Sequence, residues 1–261
     1  MPISLHTFPS LARVPGLLHG VTDRRGGVSA APYDSLNLGL HVGDDPRCVL
    51  ENRRRACDAA GIDPERLVVA EQVHRGNVAT VTARDAGRGA LDHSAAVAEA
   101  DALVTADRHL PLMALSADCP LVIIVDPERS VLGLVHSGWR STAAGIAGAA
   151  ISAMAALGGR PDHMLAAISP CVGKCCYEVQ DDFIDIAVHS AIVKADTYLD
   201  RRGARTFFDL PGAVRGQLCE AGVPRRNIEA SGVCTACSTD RFFSNRVDGT
   251  TGRLAALAML L

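Results

Sequence analysis

Cys119 and His136 are two residues of kinds that bind soft metals and take part in covalent catalysis. A thiolate and an imidazole held close together suit either a metal site or a nucleophile with its general base. A third imidazole is present at His74, next to the polar residues Gln72 and Arg75. Two histidines and one cysteine make a catalytic type of zinc site, in which a fourth position is open to water or substrate.

Each of these side chains also has an ordinary structural explanation. A cysteine at the start of a strand often serves as a small hydrophobic residue. A single histidine is more often a hydrogen-bonded core or surface imidazole than a ligand. Spacing alone does not establish that the three side chains converge, so both explanations stay open at this point.

The segments around Cys119 and His136 predict a β-hairpin. Residues 121–125 and 131–135 are apolar, β-rich runs on either side of the turn-forming sequence DPERS. This pattern is typical of two paired strands in a buried sheet. Cys119 precedes the first run and His136 follows the second, so antiparallel pairing would place both at the open end of the hairpin.

A second group of cysteines and several arginines are weaker candidates. The cysteines are Cys171, Cys175, Cys176, Cys234 and Cys237. A CxxC motif distant from another cysteine group can form a structural zinc site, but the Cx3CC spacing here does not match the usual paired CxxC of a zinc ribbon. Buried thiols in a reducing compartment explain them equally simply. Arg24, Arg53, Arg140 and Arg246 lie in or beside polar turns, where guanidinium groups suit phosphate or carboxylate ligands, although most arginines are only solvated surface charge.

The amino-acid composition of the chain is that of an ordinary globular protein. Of the 261 residues, 48% are hydrophobic and 21% charged, and the net charge is -3. This balance gives no general attraction to nucleic acid or to an anionic membrane. The apolar runs are too short to span a bilayer, and we find no signal peptide. The nine cysteines are an odd number, which favours a reducing compartment, so we expect a cytoplasmic location.

Helical and strand patterns predict one α+β domain over residues 1–261, with mixed sheets packed against flanking helices. Pro46 begins a helix that ends at Gly61, and a helix rich in small residues covers 142–157. We find no GxGxxG, P-loop, HExxH or GxSxG motif. Their absence disfavours dinucleotide enzymes, NTPases, zincins and ordinary serine hydrolases.

With these residues collected, the chain resembles the laccase-domain family, also called the polyphenol oxidoreductase or purine nucleoside phosphorylase family. The motifs that carry the resemblance extend from the N-terminal third to the end of the chain. They are TDRRGGVS at 22–29, SLNLGLHVGDDP at 35–46, ENR at 51–53, QVH at 72–74, ADC at 117–119, HSGWR at 136–140, CCYEV at 175–179 and FFSNRVDGTTGR at 242–253.

The resemblance implies a zinc ion held by His74, Cys119 and His136 in a surface pocket of an α+β fold. The same three residues would be catalytic. Family members are associated with phosphorolysis of adenosine, inosine and methylthioadenosine, and with adenosine deamination. We therefore expect purine nucleoside and phosphate as the small-molecule partners, with Arg53 and Arg140 as the substrate-binding arginines.

The resemblance also carries alternatives. The name laccase refers to copper-dependent phenol oxidation, although the chain lacks the His-rich motifs of a multicopper oxidase. The fold is likened to that of cytotoxic necrotizing factor deamidases, whose Cys and His occupy comparable positions, so a metal-independent cysteine hydrolase stays open. A non-catalytic zinc protein is the fourth reading. Relatives usually have FFSYRRDG where this chain has Asn245 and Val247, which bears on substrate preference more than on metal binding.

Overall fold

The computed structural model describes residues 3–261. Within that range the strands are, in chain order, β1 (Leu5–His6), β2 (Leu17–Thr22), β3 (Val68–Val69), β4 (Val78–Thr80), β5 (Ala102–Thr105), β6 (Leu112–Ser116), β7 (Leu121–Asp126), β8 (Val131–His136), β9 (Leu165–Ile168), β10 (Glu178–Val179), β11 (Leu199–Arg202), β12 (Arg205–Phe208), β13 (Ile228–Ala230) and β14 (Leu254–Leu260). The helices are α1 (Pro46–Ala60), α2 (Trp139–Ala143), α3 (Ile146–Ala156), α4 (Asp181–Val188), α5 (Leu210–Glu220) and α6 (Asn245–Asp248).

The strands form three sheets. The largest has the order β13-β9-β7-β8-β5-β4, the second β1-β2-β14-β6-β3, and a small third sheet β10-β12-β11. The pairs β3–β6, β4–β5 and β9–β13 are parallel, and the other pairs are antiparallel. Mixed sheets with helices outside them confirm the α+β prediction. The single-domain organisation over residues 1–261 stays a prediction.

The two large sheets pack face to face and each is covered by helices on its other side. Because side chains alternate along a strand, Ile123 and Leu134 face the second sheet, whereas Val122 and Ile124 face helices α3 and α5. Helix α1 covers the outer face of the five-stranded sheet. The strands at the centre of this four-layer arrangement are therefore buried on both faces and provide a rigid base for the loops at their ends.

Helix α1 follows the local signals closely. The Asp45 side chain accepts a hydrogen bond from the Arg47 amide, Pro46 occupies the first turn, and Gly61 ends the helix with a φ of 71°. A proline at the start and a left-handed glycine at the end are the favoured terminal residues of a helix. The predicted helix over 142–157 is instead two helices, because Gly145 adopts a φ of 83° between α2 and α3. No helix within residues 3–261 is long and apolar enough to cross a membrane.

Candidate functional site

Three side chains, two from loops and one from the end of strand β8, meet at one point. The donor atoms of His74, Cys119 and His136 all lie within 4.8 Å of one another. The two imidazole rings are perpendicular, with centroids 4.6 Å apart. The structure thus brings together the three residues that the sequence singled out, in a group that could hold a metal ion.

The β7–β8 hairpin places two of these residues. Leu121 pairs with His136 in the antiparallel register, so Cys119 lies just beyond the paired end of the hairpin. The Ser137 amide donates to the Pro120 carbonyl over 2.9 Å and extends the pairing by one step. This is the hairpin predicted from the two apolar runs, with its open end at the candidate site.

His74 comes from the loop between β3 and β4, which belong to different sheets. Gln72 and His74 both have a φ of 62°, in the left-handed region that is costly for residues other than glycine. The Gln72 amide group holds the loop against β6, because it both donates to the Leu115 carbonyl (2.6 Å) and accepts from the Leu115 amide (2.7 Å). The imidazole is therefore positioned by a backbone that the neighbouring strand fixes.

Asp101 organises both histidines, a role that the sequence analysis did not predict. One carboxylate oxygen, Oδ1, accepts from the His74 amide (2.7 Å) and lies 3.4 Å from Nδ1 of His136. The other, Oδ2, accepts from the amides of Arg75 (2.7 Å) and Gly76 (2.9 Å). Since Nδ1 of His136 faces Asp101, its Nε2 is the nitrogen available to a metal.

Gly138 allows the close packing of this group. A β-carbon at position 138 would lie 2.6 Å from Cδ2 of His74 and 3.2 Å from Sγ of Cys119. Both distances are shorter than ordinary contacts between carbon and its neighbours. Glycine in the HSGWR motif is therefore required by the side chains of His74 and Cys119, which press against it.

The charges in this group support one another. Burial would raise the pKa of the Cys119 thiol, but hydrogen bonds and charges from His136 and His74 outweigh it and lower the pKa from 9.0 to about 6. Burial would lower the pKa of His136, but Asp101 and Cys119 raise it to about 9. In metal-free protein, these opposite shifts favour a thiolate on Cys119 beside an imidazolium on His136. The pKa of Asp101 is also lowered, since the hydrogen bonds from His136 and two backbone amides outweigh the effect of burial.

A cavity of about 350 Å³ opens beside the three side chains. This volume lies within the range of roughly 300–1,000 Å³ that is common for small-molecule sites. Its wall is formed by His41, Glu71, Gln72, His74, Leu115, Ser116, Ala117, Cys119, His136, Asn245 and Arg253. Burial and the nearby charge of Arg253 lower the pKa of His41 to about 4, so its imidazole is neutral at physiological pH. The pocket thus combines the guanidinium of Arg253, the carboxyl group of Glu71, the neutral imidazole of His41 and a candidate metal group.

A family model that matches most of the chain shows which family the protein belongs to. The model of the family described as multi-copper polyphenol oxidoreductase laccase matches residues 18–261. The chain belongs to this laccase family. The resemblance found in the sequence motifs is thereby confirmed.

Similar members of the laccase family are named purine nucleoside phosphorylases. The protein YlmD of Geobacillus stearothermophilus, so named, is 39% identical over 244 residues, which cover 92% of this chain and 89% of YlmD. ORF3 of Streptomyces griseus, also so named, is 42% identical over 250 residues, or 95% of this chain and 97% of ORF3. The crystal structure of the Geobacillus YlmD has a TM-score of 0.91 at 38% identity and covers 97% of this chain and 94% of that chain. Likeness to the necrotizing factor deamidases stays a prediction.

The two arginines that we expected to bind substrate in this laccase-family chain lie outside the lining of the pocket. Arg53 is buried in α1, where its guanidinium donates to the carbonyls of Leu38, Gly89 and Ala90 over 2.6–2.9 Å. Arg140 is exposed, with its guanidinium stacked 4.3 Å above the Trp139 ring. Arg253 is the arginine that lines the pocket, and nothing distinguished it in the sequence beyond its place in the last motif.

Asn245 and the second cysteine group complete the comparison with the sequence. Asn245, one of the departures from the usual family motif, lines the pocket, whereas Val247 is exposed. The side chains of Cys175, Cys176, Cys234 and Cys237 converge within 4.8 Å of one another, although their Cx3CC spacing does not match the paired CxxC of a zinc ribbon.

Proposed function

We propose that the protein is a zinc-dependent purine nucleoside phosphorylase that acts on adenosine, inosine and methylthioadenosine, with adenosine deamination as a second reaction. The observation that carries this proposal is the convergence of His74, Cys119 and His136 on a pocket of nucleoside size. The names of the YlmD and ORF3 relatives support the same reaction class.

The donor chemistry of the site fits zinc. Two imidazoles and one thiolate are ligand types that zinc prefers, and three protein ligands leave one position open. Asp101 holds His136 in the tautomer that presents Nε2, which is the usual role of a carboxylate behind a metal-binding histidine. Zinc bound there would supply a Lewis acid able to polarise an oxygen of nucleoside or phosphate.

Phosphorolysis places specific demands on the rest of the pocket. A phosphate oxygen forms a bond to the ribose C1′ while the bond from C1′ to the base breaks, and the electron pair leaves with the base. Positive charge develops on the sugar, so phosphate must be held beside it. We assign Arg253 as the main phosphate holder, because it is the arginine that lines the pocket, and its Nη1 is held there by hydrogen bonds to the carbonyls of Thr251 and Gly252. Arg140 lies near the site in sequence and is free to approach a ligand, whereas the guanidinium of Arg53 supports the backbone around the pocket.

His41 and Asn245 suit the nucleoside. The neutral His41 imidazole can both donate and accept a hydrogen bond, and the Asn245 side-chain amide can do the same. Purine and ribose carry donors and acceptors in similar number. We assign these two residues to nucleoside recognition. We further assign to Asn245, which replaces the usual tyrosine, the choice of which nucleoside the protein prefers.

Copper-dependent phenol oxidation is the second candidate, because thiolate and imidazole also bind copper. Among residues 3–261, however, the two groups of side chains that could hold a metal contain at most two histidines each. A multicopper centre needs many more. The third candidate, a metal-independent cysteine hydrolase, draws support from the lowered pKa of Cys119 beside His136.

Product analysis tests the reaction class. We expect incubation of the zinc-loaded protein with inosine to release hypoxanthine only when phosphate is present. The variant with His74, Cys119 and His136 all changed to Ala should release none. Base release without phosphate would indicate a hydrolase, and ammonia release from adenosine would show the deamination. If neither base nor ammonia forms, a non-catalytic zinc protein is the better description.

A further inference from the structure

The four cysteines of the second group form a compact cluster at the surface. Sγ of Cys237 lies 3.3 Å from Sγ of Cys176 and 3.6 Å from Sγ of Cys175, and Cys234 completes the group within 4.8 Å. No disulfide joins any pair of them. Four unpaired sulfurs at these separations have no ordinary packing explanation, because two of the thiols are exposed and gain little from burial.

The sheet explains why these cysteines meet. β9 and β13 are parallel neighbours, so the loops that follow them leave the sheet at the same edge. The first loop carries Cys175 and Cys176, and the second carries Cys234 and Cys237. The loops are joined by two backbone hydrogen bonds, from the Cys171 amide to the Val233 carbonyl (3.2 Å) and from the Thr235 amide to the Cys171 carbonyl (3.0 Å).

The separations match those of a tetrahedral metal site. With zinc–sulfur bonds of about 2.3 Å, the sulfurs of such a site lie about 3.8 Å apart. The Gly173 amide donates to Sγ of Cys234 over 3.2 Å, and a hydrogen bond of this kind stabilises a thiolate. Four cysteine ligands leave no open position, so the site would be structural rather than catalytic.

Positive side chains lie on one side of the cluster. Arg202, Arg205 and Arg246 line a surface hollow together with Cys175 and Cys176. Four thiolates around one divalent cation carry a net charge of about −2. The guanidiniums offset part of this charge, which would otherwise be costly to hold at one point, although those of Arg202 and Arg205 also pair with the carboxylates of Asp200 and Glu178.

The cluster is also connected to the loop that carries Cys119. Thr235, which lies between two of the cysteines, donates its hydroxyl to Oδ1 of Asp118 over 2.6 Å. The Val172 amide donates to the Asp118 carbonyl over 2.8 Å. Asp118 has a φ of 93° and directly precedes Cys119. A metal that fixes the two cysteine loops would therefore also fix the backbone that positions Cys119.

We propose that Cys175, Cys176, Cys234 and Cys237 bind a second, structural zinc ion that fastens the loops after β9 and β13 and so supports the pocket. The proposal is independent of the proposed function. If His74, Cys119 and His136 bind no zinc, the second site still holds one ion.

Zinc content of matched variants tests the proposal. The proteins are purified under reducing conditions without added metal and measured by elemental analysis. We expect two zinc ions per chain in the wild type, one in the variant with His74, Cys119 and His136 changed to Ala, and one in Cys176→Ser/Cys237→Ser. Cys48→Ser, on helix α1 and outside the cluster, should keep both ions. Should the three-residue site prove empty, the wild type and its triple variant would each hold one ion.

The triple variant isolates the cluster and guards against misfolding of the cysteine variant. Its zinc X-ray absorption spectrum should show only sulfur neighbours, four of them at about 2.3 Å. The proposal is overturned if the triple variant holds no zinc, or if its zinc has nitrogen or oxygen neighbours. Iron in place of zinc, or a disulfide between two of the four cysteines detected by intact mass, also contradicts it.

Discussion

His136→Ala is expected to remove zinc from the three-residue site and to lower kcat/KM for phosphate-dependent cleavage of inosine by at least about 100-fold. His136 is the most buried of the three residues, and it contacts both Cys119 and Asp101. Its loss leaves two ligands and also removes the main interaction that lowers the pKa of Cys119, so the sulfur becomes a poorer ligand. Steady-state kinetics and zinc analysis of the purified variant measure both effects.

His189→Ala is the matched control, because His189 is exposed at the end of α4. It should retain wild-type kinetics and zinc content. His136→Asn, which keeps a polar side chain in the buried position, separates loss of the ligand from loss of folding. Wild-type activity in a folded His136 variant would show that the reaction does not depend on this site.

Asp101→Asn is expected to weaken zinc binding at the same site by roughly 10–100-fold, although Asp101 touches neither metal nor substrate. Each oxygen of the carboxylate faces two nitrogens, on His74 and His136 for Oδ1 and on Arg75 and Gly76 for Oδ2. In asparagine one oxygen becomes an NH₂ group, so in either orientation two donors face a donor. Each buried N–H donor that is left without an acceptor costs about 1–3 kcal/mol.

The pH dependence of stability separates this positioning role from a general packing role. The pKa of Asp101 lies below its usual 3.8 in the folded protein. Its stabilising contribution is therefore complete above about pH 4 and is lost as the pH falls through the lowered pKa. Urea unfolding of metal-free protein should show a steeper loss of stability below pH 4 in the wild type than in Asp101→Asn.

Asp107→Asn serves as the control for this pair of measurements. Asp107 accepts one backbone amide, that of Ala83, and does not line the pocket. Its variant should bind zinc as the wild type does. Equal zinc affinity in Asp101→Asn and in the wild type would exclude the positioning role.

The hairpin and the place of Cys119 and His136 at its open end could be predicted because their signals are local. Two apolar runs, buried along their whole length, and the polar turn between them determine the pairing, and the positions of Cys119 and His136 follow from it. The break at Gly145 could not be predicted in the same way. Glycine within a run of small residues is compatible with a helix, and its φ of 83° is set by packing around it.

The role of Asp101 and the convergence of the cysteines could not be predicted, because both depend on contacts between segments that are far apart in the sequence. An aspartate before a strand is typical of a turn, and only the fold brings the β3–β4 loop to its carboxylate. The cysteine loops meet because β9 and β13 are parallel neighbours. Arg53 is a prediction that failed for the same reason. Its place in a motif predicted that it binds substrate, but its guanidinium donates to backbone carbonyls instead. The cytoplasmic location stays a prediction.

Labelling of Cys119 with iodoacetamide, followed by mass spectrometry and paired with activity assays, tests most directly whether this cysteine is a zinc ligand. A thiolate bound to zinc is a weak nucleophile, so labelling should be slow in the zinc-loaded protein. After chelation the pKa of about 6 leaves Cys119 as a thiolate at pH 7, so labelling should become fast while activity disappears. Cys48, whose pKa is raised, should label slowly in both states. Rapid labelling of Cys119 in zinc-loaded protein, with activity that survives complete metal removal, would contradict the zinc mechanism and support the cysteine hydrolase.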